Sequence, residues 1–215
     1  MTPLNQRVRQ KSDRRSQLLA AAEQLFADRG FLAVRLEDIG AAAGVSGPAI
    51  YRHFAGKEAL LVELLAGVSA RLLEGGHDVV ARAADASAAL AGLIEFQLDF
   101  ALTEPDLIRI QDRDLANLPT AAQRQVRRAQ RSYVELWVAV LREVNPDLDE
   151  ERARVMAHAA FGLINSTPHS VGRIRAASPA QSRAVLRAMT AAALGVGQKT
   201  SHAQHPRHQR SVGSR

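Results

Sequence analysis

Cysteine is absent from the 215-residue chain, so disulfides, catalytic thiolates and cysteine-bound metal centres are excluded. Aromatic residues are scarce at 4%, although apolar residues as a whole reach 47%, which is enough for a hydrophobic core. No apolar run approaches the length of a transmembrane helix. The basic residues 1–15 lack the apolar stretch of a signal peptide. We therefore expect a cytoplasmic protein that has no membrane partner.

Strand patterns and catalytic motifs are also missing. No segment alternates apolar and polar residues, and β-branched residues are sparse, which predicts an all-α fold. The chain has neither a glycine-rich phosphate loop nor a nucleophile elbow. His158 and His169 are eleven residues apart with no carboxylate between them, unlike the clustered ligands of a metal site. We therefore predict no enzymatic activity, no cofactor and no metal site.

The net charge of +6 is concentrated at the two ends of the chain. Residues 1–57 contain nine lysines and arginines against five acidic residues, and residues 199–215 contain four against none. A basic end joined to a neutral body is typical of a nucleic-acid-binding protein, whereas two solubilising tails explain the same charges equally well. Residues 198–215 are polar and free of aromatics, so we expect a disordered basic tail there.

Residues 12–54 predict three helices with tight turns between them. In the first helix an apolar stripe at i, i+3, i+4, i+7 and i+8 is formed by Leu18, Ala21, Ala22, Leu25 and Phe26. We expect Ser12 or Asp13 to cap this helix and Gly30 to end it. A second helix is expected over residues 36–43, with a turn at Gly44. Ser46 is then the predicted N-cap of a third helix, and the whole is a helix-turn-helix.

The third helix opens with Gly47 and Pro48 and then carries Tyr51, Arg52 and His53. If Ile50 and Phe54, one turn apart, pack inward, those three polar side chains spread over the exposed sides of the helix. A protruding helix of this kind fits the major groove of DNA, where its side chains reach phosphates and base edges. If the fixed spacing of the neighbouring motif residues is left aside, the simpler interpretation is that Tyr51 is a core residue and that Arg52 and His53 lie on a solvated face.

Three segments at fixed spacing resemble the N-terminal domain of TetR-family transcriptional regulators: QLLAAAEQLFADRGF, LEDIGAAAGVS and IYRHF-x-x-KEALL. The resemblance implies a DNA-binding domain over residues 1–57, including a basic N-terminal arm. It implies that Tyr51 and His53 contact the DNA backbone and that Lys57, at the start of the fourth helix, binds a phosphate. Base reading is implied for Ser46, Gly47, Pro48, Tyr51 and Arg52. Most family members cap the second helix with Thr or Ser, whereas this chain has Arg35, which can itself bind phosphate.

Residues 58–197 are expected to form a second, helical domain for ligand binding and dimerisation. The fourth helix is predicted to end at Gly75-Gly76, and further helices to cover residues 87–103, 105–113, 121–144, 149–167 and 179–194. Helical periodicity turns inward a set of residues that suits a ligand cavity: Phe96, Phe100, Tyr133, Trp137, Phe161, Asn165 and His169. An ordinary core explains the aromatic members equally well. Asn165 and His169 stand out because buried polar groups need partners.

Small residues dominate the last two helices, namely Ala157, Ala159, Ala160, Gly162, Ala184, Ala188, Ala191, Ala192 and Ala193. Members of the TetR family dimerise through these helices, so the resemblance implies a homodimer, although an alanine-rich composition also explains the pattern. It further implies a palindromic operator in double-stranded DNA and a repressor that a small hydrophobic or amphipathic effector releases. The alternative is a DNA-binding regulator without such an effector, controlled by a protein partner or by its abundance. The sequence identifies neither effector nor operator.

Overall fold

The computed structural model describes residues 3–166 and 178–196, apart from the side chains of residues 3–11, 47, 48 and 179. These residues form helices and no strand, so the all-α prediction is confirmed. His169 and the predicted tail over residues 198–215 lie outside the described residues. The helices are α1 (Pro3–Arg29), α2 (Leu36–Ala42), α3 (Gly47–Ile50), α4 (Lys57–Arg82), α5 (Ala86–Thr103), α6 (Pro105–Asp114), α7 (Thr120–Val144), α8 (Glu150–Ile164) and α9 (Pro179–Ala193), with a 3-10 turn at Leu115–Asn117.

The first three helices form the predicted helix-turn-helix. Gly30 ends α1 with a φ of 84°, and its N–H donates to the Phe26 carbonyl at 2.9 Å. Gly44 makes the turn after α2 with a φ of 64°, a conformation that favours glycine. Gly40 lets α2 approach α3, because a Cβ there would lie 2.9 Å from the Val45 carbonyl oxygen and against Ile50. These glycines fix the short path between α1 and α3.

α1 begins earlier than the sequence predicts. It starts at Pro3, so Ser12 and Asp13 lie inside the helix and neither caps it, contrary to our expectation. Proline suits the beginning of a helix, because the N–H that it lacks has no partner in the first turn. The basic segment before residue 15 is therefore a helical extension of the DNA-binding domain.

α4 passes through Gly75-Gly76, where its end was predicted, and continues to Arg82. Both glycines serve close packing between helices. A Cβ on Gly75 would collide with the Phe96 ring of α5, and a Cβ on Gly76 would lie 2.5 Å from Tyr133 Cε2 of α7. Tertiary packing thus explains residues that local rules interpret as a helix end. The boundaries of α5 to α9 agree with the predicted ones within three residues.

α5 is the central helix of the second domain and packs against α4, α6, α7, α8 and α9. By length and composition Ala86–Thr103 is apolar enough to cross a membrane, contrary to the prediction that no segment is. Many of its residues are buried inside the helical domain, which is typical of the core helix of a folded domain. They are Ala89, Leu90, Leu93, Ile94, Gln97, Leu98, Phe100 and Ala101.

Candidate functional site

α3 is short, and the chain continues from it as a turn over residues 51–53. Ser46 occupies the N-cap position with an extended backbone, but its side chain makes no capping hydrogen bond. Ile50 and Phe54 are 1% and 3% exposed, as their spacing predicts. Because these two residues anchor the segment in the core, the three residues between them are displayed at the surface.

The three displayed residues differ in accessibility. Tyr51 is 60% exposed, and Arg52 is exposed as well. His53 is half-buried and its Nδ1 is buried without a hydrogen-bond partner, so it does not spread outward as the sequence predicted. A phenol and a guanidinium are groups that bond to phosphates and base edges. Gly47 and Pro48 lie in the first turn of α3.

Arg35 occupies the N-cap position of α2 with an extended backbone. Arginine carries no acceptor, so it cannot cap the helix with its side chain, as expected. Asp38 replaces part of the missing cap, because its Oδ2 accepts the Arg35 N–H at 3.0 Å. The Arg35 side chain is exposed and able to contact phosphate.

Lys57 points into the protein. Its Nζ donates to the carbonyl oxygens of Phe31 and Val34 at 2.9 Å each and to that of Leu32 at 3.4 Å. It also lies 4.5 Å from the centre of the Phe31 ring. An ammonium has three N–H donors, so these carbonyls occupy all of them. The structure therefore does not present Lys57 as the free phosphate ligand that the resemblance implied; it ties α4 to the loop between α1 and α2.

Arg15, at the end of the basic extension, also has a structural role. Its guanidinium lies 4.4 Å from the centre of the Phe54 ring and forms an ion pair with Glu63 of α4. It thus holds α1, the segment of residues 50–54 and α4 together.

A cavity of about 230 Å³ lies in the second domain, lined by residues of α4 to α8. Four of the predicted residues line it: Phe100, Tyr133, Phe161 and Asn165. The sequence analysis missed Ser69, Leu72, Gln97, Gln111, Gln130, Val134 and His158. Glutamine is usually exposed, and no motif distinguishes these glutamines from surface residues.

Two predicted cavity residues lie elsewhere. Trp137 is fully buried behind the wall, with its ring centroid 4.9 Å from that of Phe161 and 6.4 Å from that of Tyr133. Phe96 packs against Gly75, where the missing Cβ leaves room for its ring. Periodicity finds the inward face of a helix, but it does not separate the wall of a cavity from the layer behind it.

Polar groups at the cavity wall are incompletely paired. The Asn165 Oδ1 accepts from Gln97 Nε2 at 2.9 Å, so Asn165 is not the unsatisfied amide that the sequence suggested. The unpaired buried atoms nearby are Gln97 Oε1, the Tyr133 hydroxyl and Trp137 Nε1. Burial raises the pKa of Tyr133, and the neighbouring Trp137 indole opposes that rise, although the two groups do not reach hydrogen-bond geometry. The phenol therefore stays protonated and able to donate.

Two family models match the chain. One, described as bacterial regulatory proteins of the tetR family, matches residues 18–64, and the other, a tetracyclin repressor-like C-terminal domain, matches residues 83–169. The HTH-type transcriptional repressor KstR2 of Rhodococcus jostii (strain RHA1) is 32% identical over 159 residues, which are 73% of this chain and 77% of that protein. The chain belongs to the TetR family.

Solved structures of transcriptional regulators share the fold. The ketosteroid transcriptional regulator KstR2 of Mycobacterium tuberculosis has a TM-score of 0.68 at 27% identity, over 85% of this chain and 93% of that one. The regulator FadR of Bacillus subtilis, in complex with stearoyl-CoA, has a TM-score of 0.66 at 18% identity, over 84% and 98% of the two chains. The relatives are DNA-binding transcriptional regulators, so the predictions of a DNA-binding regulator and of no enzymatic activity are confirmed.

In this TetR-family chain a polar contact, here called the clasp, joins the end of α6 to the end of α1. The buried Asp114 accepts the Phe31 N–H at 3.2 Å and pairs with Arg113 at 3.1 Å. Arg113 donates to the carbonyls of Phe26 and Ala27, which end α1 and attract a cation. Gln111, on the same helix, lines the cavity. The clasp therefore links the cavity wall to the DNA-binding domain.

The small residues of α8 and α9 divide between two faces. Ala157 and Ala160 are buried in the core. The outer face exposes Val155 at 64%, Val185 at 56% and Met189 at 51%. The exposed small residues beside them are Ala159, Gly162, Ala184, Ala188, Ala192 and Ala193. An exposed apolar face of this kind marks an interaction surface.

Proposed function

We propose that the protein is a homodimeric transcriptional repressor that works on double-stranded DNA in the cytoplasm. Two copies of α3 bind the half-sites of a palindromic operator. A small hydrophobic or amphipathic effector enters the cavity of the second domain and releases the DNA.

The course of α4 carries this proposal. Lys57, its first residue, is separated from the displayed residues 51–53 by only three residues. Ser69 and Leu72, about three to four turns further along the same helix, line the cavity. Because one continuous helix touches both places, a ligand that pushes on Ser69 or Leu72 tilts α4 and displaces α3.

The clasp supplies a second connection. A ligand that contacts Gln111 acts on α6, and Arg113 and Asp114 pass that displacement to the end of α1. The two connections reach the DNA-binding domain from different sides, so they turn it as a unit.

The dimer follows from the outer face of α8 and α9. Burying Val155, Val185 and Met189 against the same surface of a second copy gives an isologous, two-fold interface. A two-fold dimer places two copies of α3 on one side of the molecule. They match successive major grooves when their centres are about 34 Å apart.

At the DNA we assign base reading to Arg52, with Tyr51, His53 and Arg35 on the sugar-phosphate backbone. Ser46, Gly47 and Pro48 keep the approach of α3 narrow. At the start of α4 the phosphate contact is made by backbone N–H groups of the first turn, since the Lys57 ammonium already holds three carbonyls.

The relatives support an amphipathic effector. One solved relative is named as a ketosteroid transcriptional regulator, and another was solved with stearoyl-CoA. Phe100, Val134 and Phe161 give this cavity apolar surface, while its glutamines and Tyr133 give it hydrogen-bonding groups.

The test is to fill the cavity. Operator DNA is first selected from a random pool, and ligand that co-purifies with the protein is identified by native mass spectrometry. Ser69→Leu places a larger side chain in the cavity, and only a hydroxyl bonded to its own helix is lost. We expect the variant to bind DNA as the wild type does and to stop responding to the ligand. Ala70→Leu, the next residue on α4 but outside the cavity lining, is the control that keeps the response.

The alternative is a regulator without a small-molecule effector. It predicts that no ligand co-purifies and that Ser69→Leu changes nothing. The cavity and its unpaired polar atoms favour the effector.

A further inference from the structure

The polar residues that line the cavity indicate which chemical class of effector it binds. This inference rests on the function proposed above. Within the described residues the polar members of the cavity wall are Ser69, Gln97, Gln111, Gln130, Tyr133, His158 and Asn165. The described lining contains no lysine, arginine, aspartate or glutamate. Among these described lining residues, an ionised group that left water to enter the cavity would find no lysine, arginine, aspartate or glutamate as a counter-charge, which is unfavourable.

Two unpaired atoms of the wall determine which hydrogen bonds a ligand can form there. Gln97 is 1% exposed, and its Oε1 is an acceptor without a donor. Tyr133 is 5% exposed, and its hydroxyl has no hydrogen-bond partner. Buried polar atoms of this kind are costly to the free protein and become favourable when a ligand pairs them.

A hydroxyl is both a donor and an acceptor, so its chemistry matches the two atoms: it can give its proton to the Gln97 acceptor and take the proton of the Tyr133 hydroxyl. A carboxylate has no proton to give Gln97, and a hydrocarbon pairs with neither atom. The remaining wall, with Phe100, Val134 and Phe161, is apolar.

We propose that the effector enters the cavity as an uncharged alcohol, with an apolar ring body against Phe100 and Phe161 and its hydroxyl between Gln97 and Tyr133. The volume of about 230 Å³ corresponds to about eight water molecules at about 30 Å³ each. A compact one- or two-ring skeleton is of the size that this volume can hold.

Three saturated two-ring probes of the same shape test this inference: decahydro-2-naphthol, decahydronaphthalene-2-carboxylate and decalin. None absorbs where tryptophan does, and Trp137, the single tryptophan, packs on Tyr133 and Phe161 of the wall. Titration of Trp137 fluorescence is expected to give the alcohol a dissociation constant at least tenfold lower than either of the other two.

Tyr133→Phe distinguishes a role of the Tyr133 hydroxyl in ligand binding from a role in stabilising the fold. Since it removes a buried unpaired hydroxyl, it is expected to raise the melting temperature of the free protein by about 2–4 °C. It should at the same time weaken the alcohol several-fold, by about half of its advantage over decalin in free energy, since the bond to Gln97 remains. Tyr51→Phe removes the other tyrosine hydroxyl of the chain, which is exposed, and should leave probe binding unchanged. Gln97→Leu is the second variant and should lose the same selectivity.

The inference is overturned if the carboxylate binds best, if all three probes bind alike, or if none binds. Its failure differs from failure of the proposed function. If the carboxylate binds best and releases operator DNA, the proposed effector mechanism stands and the proposal of an alcohol is wrong. If the alcohol binds with the predicted selectivity but the protein stays on DNA, the inference about the cavity stands and the proposed release of DNA by an effector is wrong.

Discussion

Lys57 offers a sharp test, because the structure and the family resemblance give its ammonium different tasks. In Lys57→Met the apolar stem stays and the charge is removed. The two 2.9 Å hydrogen bonds to the Phe31 and Val34 carbonyls are charge-assisted, at about 1.5 kcal/mol each. The contact with the Phe31 ring adds about 0.5 kcal/mol. Partial exposure to water reduces the sum, so we expect a loss of about 2 kcal/mol in the free energy of unfolding.

Urea unfolding at fixed protein concentration measures this loss. With a slope of about 2 kcal/mol per molar urea, the midpoint should fall by about 1 M. Arg82→Met removes an exposed ion pair with Asp78 and should change the unfolding free energy by less than about 0.5 kcal/mol. DNA binding at several salt concentrations gives the second measurement, and its salt slope should not change. An unchanged urea midpoint together with a salt slope smaller by about 1.8, that is about 0.9 for each of the two Lys57 residues of the dimer, would show that Lys57 binds a phosphate and that our account of it is wrong.

Three further predictions concern the DNA surface and the helix packing. Arg52→Ala should lose about 1–3 kcal/mol of discrimination at one base pair per half-site, since it removes an exposed bidentate donor; binding to a panel of operator variants measures this, and an unchanged preference contradicts it. Removal of residues 1–11 should weaken operator binding at physiological salt without changing the melting temperature, and equal affinity would show that the basic extension does not touch DNA. Gly76→Ala should destabilise the fold by about 1–3 kcal/mol because its Cβ meets Tyr133, whereas Gly67→Ala, whose Cβ meets nothing within 4 Å, should stabilise it by up to about 1 kcal/mol; thermal unfolding of both variants compares the signs, and equal effects refute the packing argument.

The DNA-binding domain could be predicted closely because its signals are local. Gly30 and Gly44 end helices by their own conformation, and the spacing of Ile50 and Phe54 alone decides which side of α3 is buried. The same local rules fail at Gly75-Gly76, since nothing near them in sequence reveals the Phe96 and Tyr133 rings that need the space. Long-range packing decides such positions.

The candidate site divides in the same way. Tyr51 and Arg52 are exposed as predicted, although they lie in the turn after α3 and not in the helix itself. Lys57 was assigned by resemblance, and only the fold shows that the loop at Phe31 and Val34 approaches its ammonium. In the cavity, periodicity placed Phe100 and Phe161 inward, but Gln97 comes to Asn165 across 68 residues of chain. A contact between such distant residues has no signature in a single sequence.

The central claim is that the state of the cavity sets the separation of the two DNA-reading segments, and a distance between two labels measures it directly. The chain has no cysteine, so Ala55→Cys, at an exposed position just after Phe54, gives one spin label per protomer. Pulsed electron resonance then reports the distance between the labels in the operator complex and in the presence of the releasing ligand. We predict a narrow distribution on DNA, compatible with groove centres about 34 Å apart, and a shift of several ångströms when the ligand is bound. Identical distributions in the two states, or no dipolar signal at all, would contradict the account.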